Sequence, residues 1–593
     1  MSNLLIIVGD KVQCGLIFEN LNDCDEKKRT NIGNGQELII VTKDGIEPLV
    51  NGESGLFLRG FIIDHESRRI TLGINGINED EVGDVSKWHK ALEGAFAALS
   101  WDSDSVSVRN DLFGLHTLTY FQTEGLLVCS DSLLALSWVR KILNLANQMD
   151  REVAESKSWV YSLGHSPLSE DLIINECKRL CPGQHLVFDR LSGFTTLHRS
   201  DIRDLFREKG KISYAENLRN CGQRIRDVIC SFLQDDSFTI QLGLSGGLDS
   251  RCILACIPEN LRKSRSLMVL TNVQSSRSAD FEVVKIISEN QGIELNPKAE
   301  LTTKQHEMGL KIVNMSDRIN VWMTSSLGIH DMMYIPKNYW NHPGIVELGG
   351  HGGEICKGAH AWRTAHKMIK KVKRINRESV QQVLYRGLKQ AGIKPKSPDS
   401  LQLHHLLHTA SVHNSRFMTR NMIALRPLMN WHLIALSINK VNPHPYRGSK
   451  SYSILHDLLI LADEKLAEIP FNKGRKQLNK KLISESKERL GNQRLDPPNL
   501  YELRGKVSCM NNGPAKSLIA LAHTMTETDE QVEDLIEYLV DKASKMISDD
   551  PLYALYQHHS DIYKEKSTEP GSYLPDTGIH AAKICSLLLC DPL

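Results

Sequence analysis

Two glycine-rich stretches of this chain hold the residue types that could do chemistry. The first reads Leu242-Gly243-Leu244-Ser245-Gly246-Gly247-Leu248-Asp249-Ser250-Arg251. Gly246 and Gly247 allow left-handed dihedrals and close approach of the backbone to a ligand. Ser245 and Ser250 add hydroxyl donors, and Asp249 is a hard oxygen ligand suited to Mg²⁺. Such a turn cradles phosphate. It lacks the Gly-Lys-Ser/Thr ending of a Walker-type loop, so the usual P-loop kinase or GTPase reading does not apply. The second stretch reads Val346-Glu347-Leu348-Gly349-Gly350-His351-Gly352-Gly353-Glu354-Ile355, again an apolar segment before a glycine-rich turn with one acidic residue. His351, as a neutral imidazole, could accept a proton near pH 7, as a general base for an amine should.

The elements around these stretches must point them at one place. Ser237 to Ile240 reads as a strand before the first loop, and Cys252 to Ile257 as the first turns of a buried helix after it. Strand, glycine turn and helix in that order gather free backbone N–H groups at the positive end of the helix dipole. Ser266 to Thr271 reads as a second strand, and a helix opens at Asp280 and ends at Gly292. Alternating strands and helices predict a doubly wound parallel sheet, whose ligands lie at the carboxyl ends of strands. The first two hundred residues differ. Leu4 to Asp10, Glu37 to Val41, Leu56 to Ile63 and Ser105 to Asn110 read as strands with Gly and Asn/Asp punctuation, which predicts a layered, β-rich domain. The polar, charged run from about 200 to 222 marks the boundary, giving domains over 1–205 and 215–593.

A chain of 593 residues exceeds one ordinary core, so several domains are expected. The formal charge of +1 removes any global electrostatic case for nucleic acid. Thirteen cysteines without paired CxxC spacing fit free thiols in a reducing cytoplasm. No run reaches membrane-spanning length, so no membrane segment is expected.

The string Ser245-Gly246-Gly247-Leu248-Asp249-Ser250 resembles the pyrophosphate-binding loop of the asparagine synthetase family. The resemblance implies that Leu244, Ser245, Gly246, Gly247, Asp249 and Ser250 bind ATP. In that family a substrate carboxylate attacks the α-phosphate to give an acyl-adenylate, and an amine then displaces AMP. Gly94-Ala95-Phe96-Ala97, Asp111 to Tyr120, Ser130 to Leu133 and Cys181 to His185 follow one another as in the family's N-terminal domain. The implied fold class is α/β. It joins an N-terminal glutaminase-like (Ntn-type) antiparallel β-sandwich to a C-terminal doubly wound parallel-sheet ATP pyrophosphatase domain with extra helices. A glutaminase of this class needs cysteine as its first mature residue. The sequence here begins Met1-Ser2-Asn3 and its first cysteine is Cys14. The expectation is a degenerate domain that keeps its packing role without the hydrolysis, a serine nucleophile at Ser2 being the other possibility.

In the second stretch the family carries Gly-Glu-Gly, a small residue, and Asp-Glu. By that alignment Glu354 matches an Mg²⁺-binding Asp, His351 replaces a glutamate associated with amine attack, and Gly350, Gly352 and Gly353 keep the backbone near the pyrophosphate. Turns of the Gly-His-Gly-Gly-Asp/Glu kind resemble those of the lasso-peptide cyclases. That branch adenylates an Asp or Glu side chain of a precursor peptide and closes a macrolactam with the peptide's N-terminal amine. The resemblance implies ATP and Mg²⁺ as cofactors and a precursor peptide as partner, a leader-peptidase protein being a further one. An amidating or β-lactam-forming ligase using ammonia or a small amine is the alternative, and an RNA-modifying adenylating enzyme a more distant one. Lys473 falls near the family's active-site lysine, which steadies negative charge, with Arg475 and Lys476 as rivals. Asn430 stands where the family's Arg-Val-Pro-Phe-Leu-Asp string has its acid.

Three further stretches complete the reading. Lys367 to Arg374 reads as a basic helical patch on a solvated face. His404, His405 and His408 have helical spacing that could make a metal pair, with no partnering acid or cysteine identifiable. Gln531 to Val540 reads as part of amphipathic helices completing the second domain.

Overall fold

Leu4-Leu5-Ile6-Ile7-Val8 is apolar at every position because its strand is covered on both faces. Leu4, Ile6 and Val8 join Phe57, Leu99 and Val108 between two sheets. Leu5 and Ile7 face the other way, into a core shared with Leu133 and Leu136. The computed structural model describes residues 4–21, 26–160, 162–207, 213–273, 278–297, 315–333, 344–360, 364–415, 422–439, 441–444, 452–472, 477–506, 516–527, 534–566 and 575–591. The described residues form a mixed α/β structure with three sheets. The first sheet runs Lys178–Leu180, Leu118–Thr123, Leu126–Ser130, Leu4–Asp10, Gln36–Thr42, Lys27–Gly33, with every neighbouring pair antiparallel. The second is built on Thr195–Arg199, Gln184–Asp189, Ser105–Asn110, Glu93–Trp101, Ser54–Asp64 and Arg69–Leu72 in that order, with Leu49–Asn51 pairing the long Ser54–Asp64 strand.

The edge of that second sheet is completed from far along the chain. Glu502–Gly505 pairs in parallel with Arg69–Leu72, a pairing that no local pattern announces. The closing helices likewise lie against early elements. Tyr556 donates to the Ala154 carbonyl at 2.7 Å, Ser137 donates to the Leu589 carbonyl at 3.0 Å, and the Asn147 N–H reaches Asp591 at 2.6 Å.

The third sheet is parallel, in the order Leu267–Leu270, Thr239–Gly243, Ile345–Leu348, Ile423–Leu425. Chain order reverses at Thr239–Gly243, so the carboxyl ends of this strand and of Ile345–Leu348 form a topological switch point. Both glycine stretches leave the sheet there. The strand runs three residues past Ile240, and the following helix begins at Leu248 rather than Cys252. The helix Ser278–Gln291 ends at Gly292, whose φ of 62° suits glycine. The basic stretch is not one helix. A short helix Ala365–Ile369 stops, and a new one runs over Arg374–Gln390 with Lys373 at its N-cap, Val372 between them being buried in the core. Among the described residues no helix is long and apolar enough to cross a membrane.

A buried carboxylate ties the helices behind the parallel sheet together. Asp457 is fully buried and accepts from Tyr214 at 2.7 Å, Tyr452 at 2.9 Å, Ser486 at 2.5 Å, His444 at 2.7 Å and Arg489 at 2.9 Å. Burial alone would raise its pKa, but the donors, His444 and Arg489 foremost, hold it well below the usual carboxylate range. A depressed carboxylate stabilises the fold above its unfolded pKa of about 4, and that contribution is lost as pH falls below it. Asp457→Asn is expected to lose about 2 kcal/mol at pH 7, the scale of hydrogen bonds to a charged group. Urea midpoints measured from pH 7 down to pH 3 should show the gap to the parent narrowing in acid.

Candidate functional site

The strand Thr239–Gly243 delivers the chain to Leu244, which is buried and ends the sheet pairing by donating its N–H to the Leu270 carbonyl. Ser245 and Ser250 then brace the turn. The Ser250 hydroxyl accepts from the Ser245 N–H at 3.1 Å, and the two hydroxyls lie 3.2 Å apart. Gly247 caps the helix Leu248–Cys256 without a side chain of its own, so the N–H groups of the first turn are left for a ligand or solvent.

The second loop presses directly on the first. A Cβ on Gly353 would stand 2.4 Å from Asp249 Cγ, and one on Gly350 would stand 3.0 Å from Asp249 Cβ. Gly352 has φ of 92°, and a Cβ there would meet the Leu428 carbonyl oxygen at 2.6 Å. These glycines are therefore required by close approach and dihedral, not by a need for a soft linker. Asp249 is held by Lys357, whose Nζ is 2.6 Å from its Oδ2.

Asp249, Ser245, Ser250, Gly350, His351 and Glu354 line one cavity of about 490 Å³. Glu354 keeps 32% of its side chain exposed and lies 3.4 Å from His405 Nε2. Burial would raise its pKa, but the His405 hydrogen bond and the charges of His405 and His351 outweigh that and bring it to about 2. It is a carboxylate throughout the neutral range. Among the described residues no group of three or more His, Cys, Asp and Glu side chains could hold a metal. Asp249 and Glu354 line that cavity as two hard oxygen donors, the donor type that Mg²⁺ takes beside phosphate and water. The residues fit the cation that the sequence suggests.

The rest of the cavity wall, His405 apart, carries no motif in the sequence. Leu163, His165 and Ser166 come from the β-rich first part of the chain, and His330, His360, His405, Thr409 and His413 from beyond the first loop. His165 Nε2, Ser166 Oγ, Thr409 Oγ1 and His405 Nδ1 are buried polar atoms with no hydrogen-bond partner among the described residues. His165 is kept neutral, its pKa pushed down to about 4 by burial and then by the Lys583 charge. The three histidines of helical spacing divide. His404 bonds the Leu168 carbonyl at 2.9 Å, His408 lies 3.0 Å from Arg179, and only His405 faces the cavity. His404 ends the α-helix Ser400–His404, and His405 and His408 stand on a turn of π-helix, His405–Ala410, a departure that often marks function. That spacing was the one available signal.

Lys473, Arg475 and Lys476 lie outside the described residues. The chain just before them is docked on the first loop, where the Asn472 N–H donates to the Gly246 carbonyl at 3.3 Å. Arg251 fastens the same segment, donating to the Ile469 carbonyl at 2.6 Å and the Pro470 carbonyl at 2.8 Å and lying 4.0 Å over the Phe471 ring. Asn430 does not enter the cavity. It caps the helix Trp431–Ile438 and reaches Glu93 of the second sheet at 3.4 Å.

Ser2 also lies outside the described residues. At the start of the first strand, the Leu4 N–H donates to Asp131 at 3.1 Å, with Arg59 and His116 at 3.6 and 3.7 Å from the same carboxylate. All three side chains are buried, and burial followed by the Arg59 charge holds His116 neutral.

No protein-family model matches the chain, and comparison with curated proteins gives no match. Among solved structures, the chain is similar to the allosteric regulatory enzyme of purine biosynthesis at 10% identity and a TM-score of 0.20, over 64% of this chain and 72% of that one. A second is the glutamine phosphoribosylpyrophosphate (PRPP) amidotransferase from B. subtilis complexed with ADP and GMP, at 10% identity and a TM-score of 0.19, over 63% of this chain and 74% of that one. At these scores the likeness carries no argument.

Proposed function

We propose that the chain is an ATP-dependent, AMP-forming carbon–nitrogen ligase with an Ntn-type first domain and a pyrophosphatase-type second one. It activates a carboxylate as an acyl-adenylate and passes it to an amine. The observation that carries this reading is that both glycine loops leave adjacent parallel strands at one switch point and bring Asp249 and Glu354 to one cavity. The Ser245 and Ser250 hydroxyls and the first N–H groups of the Leu248–Cys256 helix hold the β- and γ-phosphates. Asp249 and Glu354 hold Mg²⁺, which when bound neutralises the pyrophosphate and helps it leave. No residue forms a covalent intermediate, so positioning of ATP, carboxylate and amine is the main contribution of the protein. His351, at the edge of the same cavity, takes the proton of the attacking amine.

A volume of about 490 Å³ with unpartnered hydroxyl and imidazole atoms supports a substrate rich in hydrogen-bonding groups. A peptide is such a substrate. The specific proposal is therefore macrolactam closure of a precursor peptide between an Asp or Glu side chain and its N-terminal amine. The test is incubation with ATP, Mg²⁺ and a candidate peptide encoded beside the gene, read by mass spectrometry and nucleotide chromatography. Loss of one water from the peptide together with AMP is expected. ADP in place of AMP would overturn the adenylation chemistry; AMP with ammonia or a small amine, but none with a peptide, would overturn the choice of substrate.

A further inference from the structure

Asp249 has a cation partner that the loop sequence does not announce. Lys357 Nζ lies 2.6 Å from Asp249 Oδ2, with both side chains mostly shielded, 15% and 28% exposed. Lys357 caps the short helix Gly353–Cys356, three residues after Glu354, and its N–H is tied to the Gly353 carbonyl at 3.0 Å. The segment that brings Glu354 to the cavity thus also delivers an ammonium to the other carboxylate. Gly353 and Gly350 make the space that Asp249 occupies, since a Cβ on either would be within 3.0 Å of it.

We infer that Lys357 is an exchangeable counter-ion: it neutralises Asp249 before nucleotide binds, gives that carboxylate up to the metal, and then serves the polyphosphate. The inference rests on the nucleotide reading above. The physical argument is one of charge. A carboxylate facing a polyphosphate repels it unless a cation stands between them. Lys357 is such a cation in the absence of metal, and a compact ammonium on a flexible stem can move from carboxylate to phosphate within one side-chain length. It is a positioning residue for Asp249 and would compete with any cation for the same oxygens.

That competition gives the test two readings of opposite sign. In Lys357→Met, Mn²⁺ alone should bind about tenfold more tightly, because the competing ammonium is gone. ATP in EDTA should bind about tenfold more weakly, because Asp249 then faces the phosphates without the Lys357 ammonium. Isothermal titration of the full chain with each probe separately measures both, and Lys357→Arg should restore most of the ATP affinity. A residue that only packs would shift both constants the same way or neither, and thermal melting checks that each variant is folded. If the parent binds neither Mn²⁺ nor ATP, the nucleotide reading falls. If the parent binds both, and Lys357→Met leaves them unchanged or moves them together, the assignment of Lys357 alone falls.

Discussion

Asp249→Asn is expected to lower AMP formation by about a thousandfold, the scale on which removing one pre-positioned charge-stabilising group acts. The amide keeps the shape of the carboxylate, so Gly350 and Gly353 still pack against it, but it is a poor ligand for a hard cation. Glu354 alone would then face the metal. The fold should hardly notice. The amide oxygen can still accept from the Lys357 ammonium, so the contact at 2.6 Å keeps a hydrogen bond. The measurement is AMP by chromatography beside a melting curve. AMP release within about tenfold of the parent, in a variant that melts like the parent, would remove Asp249 from the chemistry. Acid inactivation offers a second reading of the same site. Glu354 is ionised down to about pH 2, so a fall in activity between pH 7 and 5 would have to come from another group.

The strands of the first part were readable because local pattern and tertiary environment agree there. Leu4 to Val8 is apolar throughout and is sandwiched. Gly292 ends its helix where a left-handed residue is needed. The first loop was legible as a turn braced by two hydroxyls, but not through left-handed glycines. Gly247 has an ordinary φ of −85°, and Gly246 is set by close approach, a Cβ there meeting Asn472 Cβ at 2.8 Å. What escaped depends on distance along the chain. Lys357 meets Asp249 across 108 positions, and nothing in Cys356-Lys357-Gly358 marks that lysine out. Glu502–Gly505 joins a sheet whose partner strand lies more than four hundred residues earlier. The acid beside His405 is Glu354, 51 positions away. The wall of the cavity drawn from Leu163 to Ser166 crosses the boundary placed near 205, because the site is assembled where the two parts of the chain meet. Side chains that act through a long-range pair leave no periodicity, and spacing alone could not choose His405 over its two neighbours.

Asp331→Leu is expected to destabilise the protein by about 3–5 kcal/mol, the cost of leaving buried charges without their partner. Asp331 is buried between two lysines, Lys157 Nζ on its Oδ1 and Lys583 Nζ 3.0 Å from its Oδ2. Lys583 also donates to the carbonyls of Lys157 and Gly164, each at 2.6 Å. The partners respond in opposite directions. Burial would raise Asp331, but the two ammoniums bring it to about 2. Lys583 is pushed down to about 8, because burial and the repulsion of Lys157 outweigh the attraction of Asp331. One carboxylate between two ammoniums leaves a surplus positive charge inside the protein, so the shift of Asp331 states the worth of the cluster and that of Lys583 its cost. The signs follow. The Asp331 contribution is present above its unfolded pKa of about 4 and fades as pH falls toward 2. Lys583 sheds its proton more readily folded than unfolded, so stability should rise as pH climbs from about 8 toward 10. Lys583→Met removes the surplus charge at the expense of two unpaired carbonyls and should cost less than Asp331→Leu. Denaturant midpoints of both variants at pH 7 decide the order, and the reverse order would mean that the surplus charge is not carried by the cluster. Because the Lys583 side chain holds the Gly164 carbonyl beside His165, and Asp331 holds Lys583, the same variants should loosen the cavity wall. ATP binding at the loops 244–250 and 350–354 should persist in Asp331→Leu wherever that variant is folded, while turnover of the second substrate falls, since the wall carrying His165 and Ser166 is the part the cluster steadies.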